Sequence, residues 1–137
     1  MNEQIFNDKN GLSLKVRKRA KAIEFFLASI NDTDLHFNFF FTEEVFHDLI
    51  SYIMIMANKT WDALTPREAM SCASDYDEYY DRKLDNNGYL SFSEKNYSIH
   101  ITRPTISNLK MYQFNRRKME SLMFDINRCM PERIYVK

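Results

Sequence analysis

The sequence predicts an α+β fold, four helices packed on a small antiparallel sheet of three or four strands. Several segments carry apolar residues at steps of three and four, the period of a buried helix face. Others alternate apolar with polar residues, the period of a half-buried strand. Gly (2) and Pro (3) are rare, and the few turn clusters fall between these periodic segments.

A chain of 137 residues fits a single domain, with residues 1–11 a loose N-terminal lead-in ending at Asn10-Gly11. Ser13 caps a helix to about Ile30 whose core side is Val16, Ala20, Ile23, Leu27 and Ile30. After the turn cluster 31–34, Leu35, Phe37, Phe39 and Phe41 alternate with His36, Asn38 and Phe40, which reads as a strand. Thr42 followed by Glu43 and Glu44 opens a nearly all-apolar helix to about Ala57, a cap plus carboxylates at the positive dipole end. Thr65-Pro66-Arg67-Glu68 predicts a capping box and a helix to about Leu84, ended by Asp85-Asn86-Asn87-Gly88. Next comes a hairpin, Tyr89 to Ser93 and Asn96 to Thr102, turning at Glu94-Lys95. That turn sets Phe92 opposite Tyr97 and Leu90 opposite Ile99. The last helix covers 105–130, and Ile134-Tyr135-Val136 adds a short edge strand.

With 11 Phe, 8 Tyr and 1 Trp the chain has the apolar content of a folded core, not of a disordered segment. No apolar run approaches the ~18–20 residues of a membrane helix. The opening MNEQIFNDKN is too polar for a signal peptide, so the expected location is cytoplasmic. Cys72 and Cys129 form neither a zinc spacing nor a redox motif. Two glycines exclude a Gly-rich phosphate loop, and no Gly-x-Ser-x-Gly elbow occurs. No cofactor and no metal is expected. Asn, Phe, Ile, Lys and Tyr are abundant, a signature of A/T-rich codons that fits phages, mobile elements and many bacteria.

Charge is segregated although its total is zero: +4 over 1–21, −9 over 22–102 and +5 over 103–137. A neutral total argues against a simple polyanion binder. Segregation predicts pairing within the chain, two binding faces, or a homodimer joining the acidic middle to the basic ends.

On the last predicted helix, Lys110, Phe114, Arg117, Ser121, Phe124 and Arg128 form a stripe opposite the core face. Cations alternating with rings suit an acidic protein patch or the phosphates and bases of a nucleic acid. Lys18, Lys21 and Phe25 extend this surface from the basic run 15–21. The segment 75–81 is acidic and aromatic and suits a solvated helix face or a basic partner. A calcium-loop reading around Gly88 fails at its first ligand position, Lys83. Glu44 and His47 form one Glu-x-x-His, and a di-iron bundle needs two.

Ile99-His100-Ile101-Thr102 is a hydrophobic-His-hydrophobic-Thr strand, and Leu35-His36-Phe37-Asn38 is a second copy with Asn38 in the hydroxyl position. These eight residues resemble the paired motifs of the two-histidine phosphoesterases. The resemblance implies that each His acts on a phosphodiester and each hydroxyl binds it, provided His36 and His100 share one sheet face.

The expected function is stoichiometric, non-enzymatic binding of a protein partner, as in a phage or mobile-element inhibitor of a host system. The contact surface is Lys110, Phe114, Arg117, Phe124 and Arg128 with Lys18, Lys21 and Phe25. A nucleic-acid-binding regulator using the same cations and a phosphodiesterase of two-histidine type are the alternatives.

Overall fold

The computed structural model describes residues 2–29, 33–69, 75–106 and 109–129. Among them are eight strands in two antiparallel sheets and two helices, so the expected four helices on one small sheet are corrected. The first sheet holds β1 (Glu3–Asn7), β2 (Ser13–Lys18), β3 (Ile23–Leu27) and β8 (Lys110–Phe114), in that spatial order. The second holds β4 (His36–Phe40), β7 (Ser98–Thr102), β6 (Asn86–Ser93) and β5 (Glu78–Asp81). The helices are α1 (Glu43–Thr60) and α2 (Arg116–Cys129).

The segment expected as a loose lead-in supplies β1. Its turn to β2 is built by Asp8, whose Oδ1 accepts the N–H groups of Asn10 and Leu12, both at 2.8 Å. Gly11 supplies the positive φ of 94°. The helix expected over 13–30 is a hairpin of β2 and β3. Leu14 and Val16 pair with Leu27 and Phe25 on the buried face, while Lys15 and Arg17 face out. The turn between them holds no Gly, Pro, Asn or Asp, and the Arg19 N–H donates to the Ala22 carbonyl at 2.8 Å.

The strand expected over Leu35–Phe41 is present as β4, and the helix after Thr42 is α1, with the Val45 N–H on Thr42 Oγ1 at 3.2 Å. Phe46, Leu49, Ile50 and Ile53 of α1 are buried, and the helix packs on β1, β2 and β3. The helix expected over 65–84 is corrected. Residues 65–69 are irregular, residues 70–74 lie outside the described residues, and 78–81 are β5. The Thr65 N–H donates to the buried Glu120 carboxylate at 3.2 Å, so a tertiary partner replaces the local capping box.

The hairpin of β6 and β7 is present with another register. Phe92 faces Ile99 and Leu90 faces Ile101. The loop takes in Glu94 to Tyr97, with Tyr97 at φ 52°, and the slip of two preserves which side chains face inward. The helix expected over 105–130 begins only at Arg116, because 110–114 is β8. Asn115 caps α2, its Oδ1 accepting the Lys118 N–H at 2.8 Å. The edge strand expected at 134–136 lies outside the described residues.

The sheets meet where β8 crosses β5, β6 and β7. Gly88 of β6 makes this approach close, lying against the Tyr79 ring and the Met111 carbonyl. Both sheets and both helices share one apolar core. No helix among the described residues is long and apolar enough to cross a membrane.

Candidate anion-binding groove

On the outer face of the first sheet, β2, β3 and β8 present Arg17, Glu24, Phe26, Lys110 and Gln113. The edge of β5 and its following turn, the hairpin residue Arg19, and Asn115 and Lys118 at the start of α2 complete a groove of about 850 Å³. Its lining carries six cations, Arg17, Arg19, Arg82, Lys83, Lys110 and Lys118, against two carboxylates, Glu24 and Asp81.

Both carboxylates are held. Glu24 is 6% exposed, and its Oε1 accepts from Arg17 Nε and Nη2 at 3.2 and 3.1 Å. Arg19 Nη1 lies 3.6 Å from the same oxygen, and Lys110 Nζ lies 3.5 Å from Oε2. One nearly buried anion therefore fixes three cations from β2, the hairpin turn and β8. Asp81 is turned into its own loop, where Oδ1 accepts the Lys83 and Leu84 N–H groups at 3.0 and 3.1 Å. The Tyr79 hydroxyl donates to its other oxygen at 3.5 Å. Burial pushes the Tyr79 pKa far above its ordinary 10.0, and the Asp81 charge adds to the shift.

Two rings line the groove besides Tyr79. Phe26 is half-buried, with the Arg17 guanidinium 4.5 Å and the Lys15 ammonium 5.1 Å from its centre. Tyr80 is 55% exposed and its hydroxyl bonds Asp85.

The residues expected as one contact surface are dispersed. Lys110 lines the groove. Phe114 and Phe25 are 0% and 1% exposed and pack on each other inside the core at 5.2 Å. Arg117 pairs with Asp75 at 2.9 Å and reaches the Glu68 carbonyl at 3.1 Å. Ser121 is buried and accepts the Asp75 N–H at 3.2 Å. Phe124 is half-buried beneath Arg128, 5.5 Å away, and Arg128 also meets Asp125 at 3.3 Å. Lys18 ends β2, and Lys21 is exposed in the turn that follows. Arg19 belongs to the basic run 15–21, whereas Glu24, Phe26 and Lys118 were not anticipated. For Glu24 and Phe26 the signal was period-two alternation across 23–27, which a helical reading hides.

A second polar surface lies on the second sheet. His36 pairs with Thr102, and Asn38 with His100, across β4 and β7. His36 and His100 thus share one face. His36 Nδ1 and Thr102 Oγ1 are 2.8 Å apart, and His100 Nδ1 donates to Asn38 Oδ1 at 2.7 Å. In the neutral ring this leaves His100 Nε2 to accept from the Ser98 hydroxyl, 3.2 Å away. The shallow depression above them is about 330 Å³, with Asp77, Tyr89 and Ser91 at its margin. Ser98 itself is fully buried, which removes it as a nucleophile.

The acidic-aromatic segment is not a helix face. Tyr76 reaches Asp125 at 2.6 Å, and the buried Tyr112 hydroxyl bonds the Tyr76 carbonyl. His47 sits on α1 against the rings of Phe46 and Tyr97. Cys129 is exposed and unbridged, and Cys72 lies outside the described residues. Among the described residues, no group of three His, Cys, Asp or Glu side chains is placed to hold a metal ion. No family model, curated protein or solved structure matches this chain.

Proposed function

We propose that the protein is a small non-enzymatic binding module that acts by stoichiometric contact with a protein partner, and that the groove receives an acidic segment of it. The observation carrying this reading is six cations against two carboxylates around one concavity, both carboxylates already held from within. Such an excess steers an acidic partner inward and fixes its register. The residue usage of A/T-rich codons fits phages, mobile elements and many bacteria alike; within that range the proposal is a phage or mobile-element module that inhibits a host system in the cytoplasm.

The test is affinity capture from the native host with and without nuclease treatment, comparing the wild-type chain with Arg19→Glu/Lys118→Glu. The expected result is one protein retained in fixed ratio by the wild type and lost by the variant. Equal capture by both forms refutes the groove as the contact, and nuclease-sensitive capture refutes a protein partner.

A second reading, a phosphodiesterase of two-histidine type, is supported by the shared face of His36 and His100 and by their cross-strand bonds to Thr102 and Asn38. Hydrolysis of bis(p-nitrophenyl) phosphate that is lost in a folded His100→Ala variant supports it. Absence of hydrolysis by the wild type removes it.

A further inference from the structure

We propose that the groove reads a phosphate monoester on the partner, a phosphorylated side chain, where the reading above requires only an acidic segment. The inference rests on that reading and narrows it. Arg17, Arg19 and Lys110 surround the single carboxylate of Glu24, so the cluster keeps two positive charges. A phosphate monoester carries about −1.5 to −2 at neutral pH and three acceptor oxygens. It therefore matches the cluster, whereas a carboxylate leaves one cation uncompensated in the bound state.

Geometry supports the same ligand. Arg17 uses Nε and Nη2 on Glu24 Oε1, which fixes the guanidinium plane and leaves the Nη1 edge to a ligand. Arg19 is held 3.6 Å from Glu24 while its side chain stays 56% exposed. Nearly buried Glu24 orders these donors before any ligand arrives, which lowers the entropic cost of binding. At the rim, the Lys118 ammonium meets the Asp75 carbonyl at 3.4 Å. Arg82 and Lys83 form no ion pair among the described residues. These rim cations suit acidic residues flanking the phosphate.

At the Glu24 cluster the Phe26 ring argues against a nucleic-acid strand, and exposed Tyr80 offers one ring where successive bases need several. Single-strand binders offer open aromatic faces to successive bases, and here the Arg17 guanidinium lies over the Phe26 ring at 4.5 Å. A groove of about 850 Å³ admits a phosphorylated side chain and its neighbours, within the size range of sites that bury small ligands.

The test titrates the full chain, followed by amide chemical shifts, with three versions of one acidic peptide bearing Ser, phosphoserine or Glu at its centre. Adenosine monophosphate and a single-stranded oligonucleotide are the further probes. The phosphopeptide is expected to saturate at one per chain, roughly tenfold tighter than the Glu peptide. Arg19→Ala/Lys118→Ala is expected to weaken it about tenfold with an unchanged melting temperature, because neither side chain is buried. Equal binding of the phosphoserine and Glu peptides overturns the phosphate proposal and leaves the acidic-partner reading standing. Binding of neither removes both. Adenosine monophosphate or the oligonucleotide binding as tightly as the phosphopeptide overturns the assignment to a protein-borne phosphate.

Discussion

Gly88→Ala tests the contact that joins the two sheets. A Cβ built on Gly88 lies 2.5 Å from Tyr79 Cε1 and 3.0 Å from the Met111 carbonyl oxygen. The ring cannot easily swing aside. Tyr79 is 6% exposed, packs edge-on against Tyr112 at 5.0 Å, and has its hydroxyl on Asp81. The carbonyl belongs to a paired strand, so its retreat drags β8 away from β6. Overpacking of a filled core costs about 1–3 kcal/mol, and two obstacles, one of them backbone, place this change near ~3 kcal/mol. For a chain of this length that is a fall in melting temperature of roughly 9 °C. Urea unfolding followed by circular dichroism gives the free energy. Gly11→Ala is the control: its φ is +94° with nothing within 4 Å, so it bears backbone strain alone, about 1 kcal/mol. Tyr79→Ala combined with Gly88→Ala should cost less than the two single changes added, because the ring that clashes is gone. A Gly88→Ala variant within about 0.5 kcal/mol of wild type refutes the claim that the sheets are in close contact there.

Tyr52→Phe is expected to raise stability by up to ~1 kcal/mol, since it removes a buried hydroxyl with no hydrogen-bond partner among the described residues. A clear loss in urea unfolding contradicts this. Glu120→Ala removes a carboxylate that is 3% exposed and meets Arg67 at 3.4 Å, Arg116 at 3.3 Å and the Thr65 N–H. The arginines left behind are largely solvated, so the expected cost is about 1–3 kcal/mol, below that of an ion stranded in the core, and faster proteolysis of 64–69 should accompany it. Burial raises the hydroxyl pKa of both Tyr79 and Tyr112 above the ordinary 10.0. They stay neutral in the folded chain while the unfolded chain ionises. Stability is thus fully present below pH 10 and falls above it, by up to about 1.4 kcal/mol per pH unit for each group. Urea midpoints between about pH 9 and about pH 11 measure this, Tyr112→Phe should flatten the fall, and a pH-independent midpoint refutes it.

Local chemistry was legible where one signal stood alone. Thr42 with Glu43 and Glu44 announced α1, and the Phe alternation announced β4. The region 13–30 misled because Val16, Ile23 and Leu27 satisfy both a helical step and, with Leu14 and Phe25, a period of two. Its turn at 19–22 has no residue type that marks a turn. In β8, the bulge opposite Phe25 and Phe26 leaves adjacent Met111 and Tyr112 both buried, which breaks strand alternation and imitates a helix face. Asn115 was the real start signal of α2. Thr65-Pro66-Arg67-Glu68 was a sound local motif overridden by the Glu120 carboxylate, 55 residues away in sequence. Of the groove, only Lys110 and the basic run 15–21 were visible. Glu24 and Phe26 join them only once β3 pairs with both β2 and β8, and sequence separation conceals the β3–β8 pairing.

The zero net charge and the basic groove are consistent once each carboxylate is followed to its partner. The basic start and the basic end of the chain meet at one acid of the middle segment, Glu24, through Arg17, Arg19 and Lys110. Asp75, another acid of that segment, takes Arg117, while Glu120 and Asp125 neutralise Arg67, Arg116 and Arg128 around α2. Segregation along the sequence thus becomes pairing in space, and it is uneven. Around α2, Glu120 takes two arginines while Asp75 and Asp125 take one each. On the outer face of the first sheet, three cations converge on one carboxylate, and the turn after β5 adds Arg82 and Lys83. Exposed Glu43, Glu44 and Asp48 lie on α1, which packs on β1, β2 and β3 through their buried face, so the first sheet separates them from the groove. Summed charge averages these faces to nothing, whereas an approaching ligand within a Debye length of about 8–10 Å senses one face at a time. A neutral total is therefore compatible with a groove lined by six cations and two carboxylates, and it argued only against a simple polyanion binder.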